Sequence, residues 1–194
     1  MRSLDPGCTS GWSAVNKMIT TNRLYLKNFS GEDAEIKSMI LNWVSDPMIQ
    51  NEYGEPVYTD ESEVSLLIKR YVNEPFRWAI YEKESNECIG QIAFCRIWED
   101  IHTAEIEYCI GRAYQGHGYA GEVLSCIIDH TFTDTDFIRL EAYHRIENTA
   151  SGRVLVKSAM HKTDTVERFK REGITPENEI CYCIDREEWE RGEK

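Results

Sequence analysis

Apolar and polar residues alternate at two periods along this chain, and each switch between the periods marks an element. Arg23 to Phe29 repeats at period two with Leu24 and Leu26 on one face, which predicts a strand. Ser30 followed by Asp33 signals a helix start, and Ile36, Met39, Ile40, Trp43 and Val44 share one helical face until the chain meets Pro47. Residues 46–58 place Pro47, Gly54 and Pro56 among polar and aromatic positions and read as a long loop, the kind of segment that compact domains use for binding. Asp60 with Glu63 forms a second capping box, ahead of Val64, Leu67, Ile68, Tyr71 and Val72 at helical spacing.

From Phe76 the period returns to two. Phe76, Trp78 and Ile80 alternate with polar or smaller neighbours, residues 82–87 form a polar tip, and Cys88 to Trp98 comes back as a longer strand in which Gly90 suggests a bulge. Residues 103–110 predict a strand with Ala104, Ile106, Tyr108 and Ile110 on one face and Glu105, Glu107 and Cys109 on the other. A helix over 118–132 buries Ala120, Val123, Leu124, Ile127, Ile128 and Phe132, and a strand over 137–143 follows. A strand, a helix and a strand in succession predict a right-handed crossover with two parallel strands. Residues 147–157 read as a short helix, 161–169 and 179–184 as strands, and Asp185 to Lys194 as a polar end. The pattern as a whole is a single α/β domain on a mixed sheet over 18–194. Residues 1–17 lack periodicity and read as a dispensable leader or vector-derived segment; the competing reading is a genuine arm packing through Trp12 and Val15.

Composition narrows the class of protein. A chain of 194 residues with 41% hydrophobic content can bury one core. The balance of 34 acidic against 22 basic residues, net charge -12, argues against general affinity for nucleic acid or anionic membrane and permits cationic partners. No apolar run approaches the length of a membrane span, which predicts a cytoplasmic protein. The odd count of seven cysteines, with Cys88, Cys95, Cys109 and Cys126 inside apolar runs, fits a reducing compartment. Cys181 and Cys183 share a strand face and five histidines are scattered, but neither set has the paired spacing of a zinc site, so no metal is expected.

The chemistry concentrates at Gln115, Gly116, His117, Gly118, Tyr119 and Ala120, between the strand over 103–110 and the helix over 118–132. A glycine turn there can aim backbone N–H groups at an anion, although tight turns also use glycine with no ligand present. It lacks the third glycine and the acidic residue of the dinucleotide fingerprint and the lysine of a P-loop.

The run from Ala104 to Ala120 resembles the acetyl-CoA-binding motif of the GCN5-related N-acetyltransferases, Gln/Arg-x-x-Gly-x-Gly/Ala, with Gln115, Gly118 and Ala120 filling it. Asn148 to Met160 is similar to the Asn-x-x-Ser-x-Arg-x-x-x-Lys-x-Gly-Phe segment of the same family, and Ala159 and Met160 replace its last two residues. Thr21 to Leu26 and Arg186 to Trp189 further resemble the RimJ/RimL-like branch, so the likeness covers residues 20–190. It implies a mostly antiparallel mixed sheet with flanking helices and one splayed parallel pair, and transfer of an acetyl group from acetyl-CoA to a primary amine. The acceptor is a protein N-terminus or a small cationic amine, and the enzyme is a monomer or homodimer.

In that reading the amides of Gln115, Gly116, His117, Gly118, Tyr119 and Ala120 cradle the pyrophosphate. The pantetheine arm pairs near Cys109 and Ile110, Asn148 contacts the coenzyme, and Arg112 or Arg153 reaches its phosphates. Glu105 matches the acidic base of several members, and Glu107 on the same strand face could raise its pKa by repulsion. The tyrosine that protonates the leaving thiolate in the family is replaced here by Leu155, which leaves Ser151, Tyr143 or a water for that task. The missing tyrosine also raises a second reading, an acyl-CoA-binding sensor without turnover.

Overall fold

The computed structural model of the chain describes residues 18–192, so the leader predicted over 1–17 lies outside the described residues. Eight strands form one sheet in the order β1-β2-β3-β4-β5-β6-β8-β7. They are β1 (Ile19–Thr20), β2 (Leu24–Asn28), β3 (Arg77–Glu82), β4 (Cys88–Trp98), β5 (Thr103–Ile110), β6 (Arg139–Arg145), β7 (His161–Thr163) and β8 (Glu179–Asp185). Every neighbouring pair is antiparallel except β5 and β6, which the helix α4 (Tyr119–Asp134) joins by a crossover, as a parallel pair requires. This is the mixed, mostly antiparallel sheet with one parallel pair that the resemblance implies.

Strand alternation sorts the core into two layers. Leu24, Leu26, Trp78, Ile80, Ile92, Phe94, Ala104, Ile106 and Leu140 pack with Val123, Leu124, Ile127 and Phe132 of α4. Ala79, Tyr81 and Cys109, pointing the other way, pack with residues of α1 (Asp33–Met39), of the π-helical turn Ile40–Val44 that extends it, and of α3 (Glu61–Tyr71). No helix among the described residues is long and apolar enough to cross a membrane.

Three segments differ from the sequence reading. Within 46–58, Pro47–Tyr53 is a helix, α2. Pro47 is its first residue, Asp46 caps it by accepting from the Met48 and Ile49 amides, and Gly54 closes it in the left-handed conformation, so the loop markers are this helix's own start and stop signals. The strand expected over 161–169 is only the three residues of β7; Glu167–Glu172 form α6, with Val166 and Phe169 buried one turn apart. The polar end contains α7 (Arg186–Glu190), opened by a capping box between Asp185 and Glu188.

The helix α5 (Thr149–Lys157) ends in a Schellman motif, with Ala159 donating to the Val156 carbonyl at 3.2 Å and Met160 to the Leu155 carbonyl at 3.1 Å. Ala159 therefore holds φ 66°, where the similar family segment carries glycine. Ala159→Gly is expected to raise stability by about 1 kcal/mol, measured by urea unfolding, because glycine adopts this conformation without the Cβ penalty. An unchanged or lower midpoint would contradict that assignment.

Candidate active site

The site begins where two strands part. β5 and β6 pair at Thr103 with Arg139, Ala104 with Leu140 and Glu105 with Glu141, and the pairing stops there although β5 continues to Ile110 and β6 to Arg145. Opposite the same point, β4 pairs Phe94 with Ile106 and Arg96 with Glu105, leaving Cys95 as an extra, bulged residue. The fork thus opens just past Glu105. Cys109 and Ile110 end one prong, and Asn148 caps the helix that follows the other.

At the open end of β5 the chain makes the turn Arg112–Tyr114 and enters the glycine segment. Gly116 and Gly118 have φ of 80° and 81°, and Gly118 caps α4 without any side-chain hydrogen bond to the helix amides. A Cβ at Gly116 would meet nothing within 4 Å, and one at Gly118 only Arg23 Nη2 at 3.6 Å. An uncapped helix end with open space in front of two left-handed glycines suits an anion such as a pyrophosphate. The turn is braced from behind: Gln115 Nε2 donates to the Ile110 carbonyl at 3.0 Å, and the His117 ring stacks on Tyr119. Ala120 lies in the first turn of α4, half-buried.

Arg23, which the sequence reading passed over, belongs to this turn. Its Nε donates to Glu122 Oε2 at 2.7 Å, its Nη1 to the His117 carbonyl at 2.9 Å, and its guanidinium lies over the Tyr119 ring. A carbonyl pinned on one side turns the Gly118 N–H of the same planar peptide to the other. Nothing local in the sequence signals this, since Arg23 and Glu122 lie 99 residues apart.

The other predicted coenzyme contacts have partners within the protein. Asn148 accepts from the Ser151 amide at 3.0 Å through Oδ1 and donates to Glu52 Oε2 at 3.0 Å through Nδ2. Arg153 is exposed on α5 and donates to Thr149 Oγ1. Arg112 makes two bonds of 2.7 Å to the Asp46 carboxylate, so reaching a phosphate would require breaking a bidentate pair. The same bonds hold the Asp46 carboxyl below its usual range. Helix α2 therefore ties to β5's side of the fork through Asp46 and to β6's side through Glu52.

On the α1 and α3 face, Glu105 and Glu107 have different surroundings. Glu107 Oε1 accepts from Arg77 Nη2 at 2.8 Å, and Arg77 also bonds Glu74 and Gln91. That fixed cation pairs with Glu107, and the rise at Glu105 comes from burial rather than from the repulsion between the two carboxylates that the sequence reading supposed. Glu105, only 2% exposed, accepts at Oε1 from Cys95 Sγ at 3.1 Å and Arg96 Nη1 at 3.2 Å, while Oε2 is buried with no hydrogen-bond partner. Burial pushes its carboxyl above the ordinary carboxylate range against the opposing pull of Cys95, Arg96 and Arg168.

On the other face Leu155 is fully buried, and Ser151 in the first turn of α5 places Oγ 2.9 Å from the Tyr108 hydroxyl. Tyr143 lies on the Glu105 side, its hydroxyl bonded by Arg168, and burial pushes its phenol up to about 12.

Comparison with known proteins gives these features a context. Residues 23–161 match the family model described as an acetyltransferase (GNAT) domain. An uncharacterized N-acetyltransferase, p20, of Bacillus licheniformis is 30% identical over 156 residues, covering 78% of this chain and 86% of that protein. A GNAT-family acetyltransferase from Bacillus anthracis superposes with TM-score 0.74 at 22% identity, covering 88% of this chain and 99% of its own. The spermidine N-acetyltransferase from Vibrio cholerae, solved with CoA and spermine, superposes at 0.67 with 16% identity over 86% of this chain and 98% of that one. With a family model spanning the fork, the glycine turn and α5, the chain belongs to the GCN5-related N-acetyltransferases.

Proposed function

We propose that this N-acetyltransferase moves an acetyl group from acetyl-CoA to a primary amine by direct attack in a ternary complex. The observation that carries the reading is the uncapped glycine turn of α4 beside strands that separate just past a buried glutamate. The amides from Gln115 to Ala120 hold the pyrophosphate, with Arg23 bracing the turn, and the pantetheine arm lies along β5 near Cys109 and Ile110. Bound acetyl-CoA supplies an activated thioester. The residues of the chain then handle protons. Glu105, through its unpartnered Oε2, takes one proton from the acceptor ammonium; the freed amine attacks the thioester carbonyl to form the C–N bond, and as the C–S bond breaks the nitrogen sheds its second proton to the leaving thiolate. Ser151 donates a hydrogen bond to the departing sulfur in place of the tyrosine replaced by Leu155, and CoA leaves as the thiol carrying the proton that the nitrogen sheds, so the serine keeps its own.

Glu105 keeps a buried oxygen without a hydrogen-bond partner, whereas Glu107 is tied through Oε1 to the fixed Arg77 guanidinium, which favours Glu105 as the group that meets the acceptor ammonium. Net charge -12 and the fold neighbour solved with CoA and spermine support a small cationic amine. The RimJ/RimL-like sequence features support a protein N-terminus. A thiol-release screen of polyamines, N-terminal peptides and aminoglycosides tests reaction and acceptor together. Turnover with one class is the expected result. Calorimetric binding of acetyl-CoA with no thiol release from any amine would overturn it in favour of a sensor.

A further inference from the structure

Tyr108 has no part in the reaction as described above, yet it joins the two prongs of the fork. It stands on β5 beyond the last pair, Glu105 with Glu141, on the face opposite the two glutamates. Its hydroxyl lies 2.9 Å from Ser151 Oγ, a contact in which either oxygen can donate. It can alternatively donate its one proton to the Ser151 carbonyl at 3.3 Å, the longer of the two, on the helix that follows β6. The contact links residues 43 apart across the opening.

The serine is held by an unusual division of labour. Asn148 Oδ1 already receives the Ser151 amide and caps α5, so Ser151 Oγ is not needed as a cap. A hydroxyl carries one proton and accepts at two positions. When Tyr108 donates to Ser151 Oγ, the serine proton must go to a third group.

We propose that Tyr108 is a positioning residue that donates to Ser151 Oγ and so turns the serine proton toward the coenzyme sulfur. Burial pushes the Tyr108 phenol up to about 12, which keeps it a neutral donor across working pH. The other titratable groups on this side are Tyr182, which raises Tyr108 slightly further, and His144, which faces the Arg145 carbonyl and the Tyr182 hydroxyl. Neither hydrogen-bonds Tyr108 or Ser151. No proton leaves Tyr108 in this scheme: its bond orients the serine and makes the serine a better donor to a developing thiolate.

This inference rests on the coenzyme reading, and its test needs no identified acceptor. CoA itself is the probe, with its thiolate followed by ultraviolet absorbance against the complex with desulfo-CoA as pH is raised. Donation to sulfur stabilises the thiolate, so the thiol of bound CoA is expected to titrate about one unit below free CoA. Tyr108→Phe and Ser151→Ala are each expected to remove at least half of that shift. The double variant should lose no more than Ser151→Ala alone, because the tyrosine acts through the serine. Ser151→Thr, which retains the hydroxyl, should restore most of it. Affinity for desulfo-CoA should stay within about twofold in every variant, which a role in packing alone would not predict.

A wild-type shift that Tyr108→Phe leaves intact overturns the inference. So does a loss in Tyr108→Phe that Ser151→Ala does not share, which would make Tyr108 the direct donor. CoA binding with no shift in the wild type refutes the inference alone; failure of CoA to bind refutes the coenzyme reading with it.

Discussion

Gly118→Glu is expected to weaken acetyl-CoA binding by a hundredfold or more while the fold persists. Gly118 caps α4 at φ 81°, a conformation that costs a side-chain-bearing residue about 1–3 kcal/mol. A Cβ there meets only Arg23 Nη2 at 3.6 Å, so the new side chain has space. Its carboxylate would stand before the free amides of a helix N-terminus and beside the Arg23 guanidinium, where negative charge is favoured. That partly offsets the strain. It also fills the anion position with an anion the protein cannot release. Losing those amides to an internal competitor and repelling a pyrophosphate together account for about 3 kcal/mol of binding, the hundredfold above. Calorimetric titration measures the affinity and circular dichroism checks the fold. Gly118→Ala separates the two effects, since it carries the same strain without the charge and should retain most of the affinity. Unchanged binding in Gly118→Glu would remove the glycine turn as the pyrophosphate cradle.

The features legible in the sequence are those governed by local chemistry. Leu24 and Leu26 at period two, the α4 face from Val123 to Phe132, and the strand–turn–helix around Gly116 and Gly118 all lie where the pattern puts them. The errors have local causes too. Pro47 and Gly54 mark a loop only if the helix between them is overlooked; with Asp46 as cap they delimit α2. Val166 and Phe169, three residues apart, share a face in a helix but not in a strand, and Gly173 at φ 66° closes α6.

What the sequence leaves out is set by register. Glu105 and Glu107 share a face, so the pattern makes them look equivalent. Pairing of β3, β4 and β5 brings Arg77 to Glu107 across 30 residues, and the Cys95 bulge brings a thiol and Arg96 to Glu105. The fork itself is the end of a hydrogen-bond ladder, which no residue type announces. The net charge of -12 acts over the whole surface and is not read from any one residue at the site, where Arg77, Arg96 and Arg168 counter the two glutamates.

That difference between neighbours gives the second large expected effect. Glu105→Gln should lower kcat by about a hundredfold or more, the usual contribution of a general base, and should abolish the acidic limb of the pH–rate profile. A base works only when ionised, so the wild-type rate should climb as pH rises through the Glu105 pKa, which burial holds above the ordinary carboxylate range. The stability sign follows from the same shift. A folded-state pKa above the unfolded one means that folding favours the protonated acid, so Glu105's stabilising contribution is complete in acid and is lost as pH rises through its folded pKa. Glutamine keeps the shape and carries no charge. Near neutral pH the variant should therefore melt no lower than the wild type, and any gain should vanish on acidification. Glu107→Gln should behave in the opposite way. It leaves the buried Arg77 with one carboxylate partner, Glu74, instead of two, so it should lose about 1 kcal/mol, discounted because the Glu107 side chain is 28% exposed, and keep the acidic limb. Melting curves and pH–rate profiles of both variants, measured with whichever amine the screen identifies, separate the assignments. An acidic limb that survives in Glu105→Gln and disappears in Glu107→Gln would transfer the base to Glu107 and make Glu105 a buried structural acid.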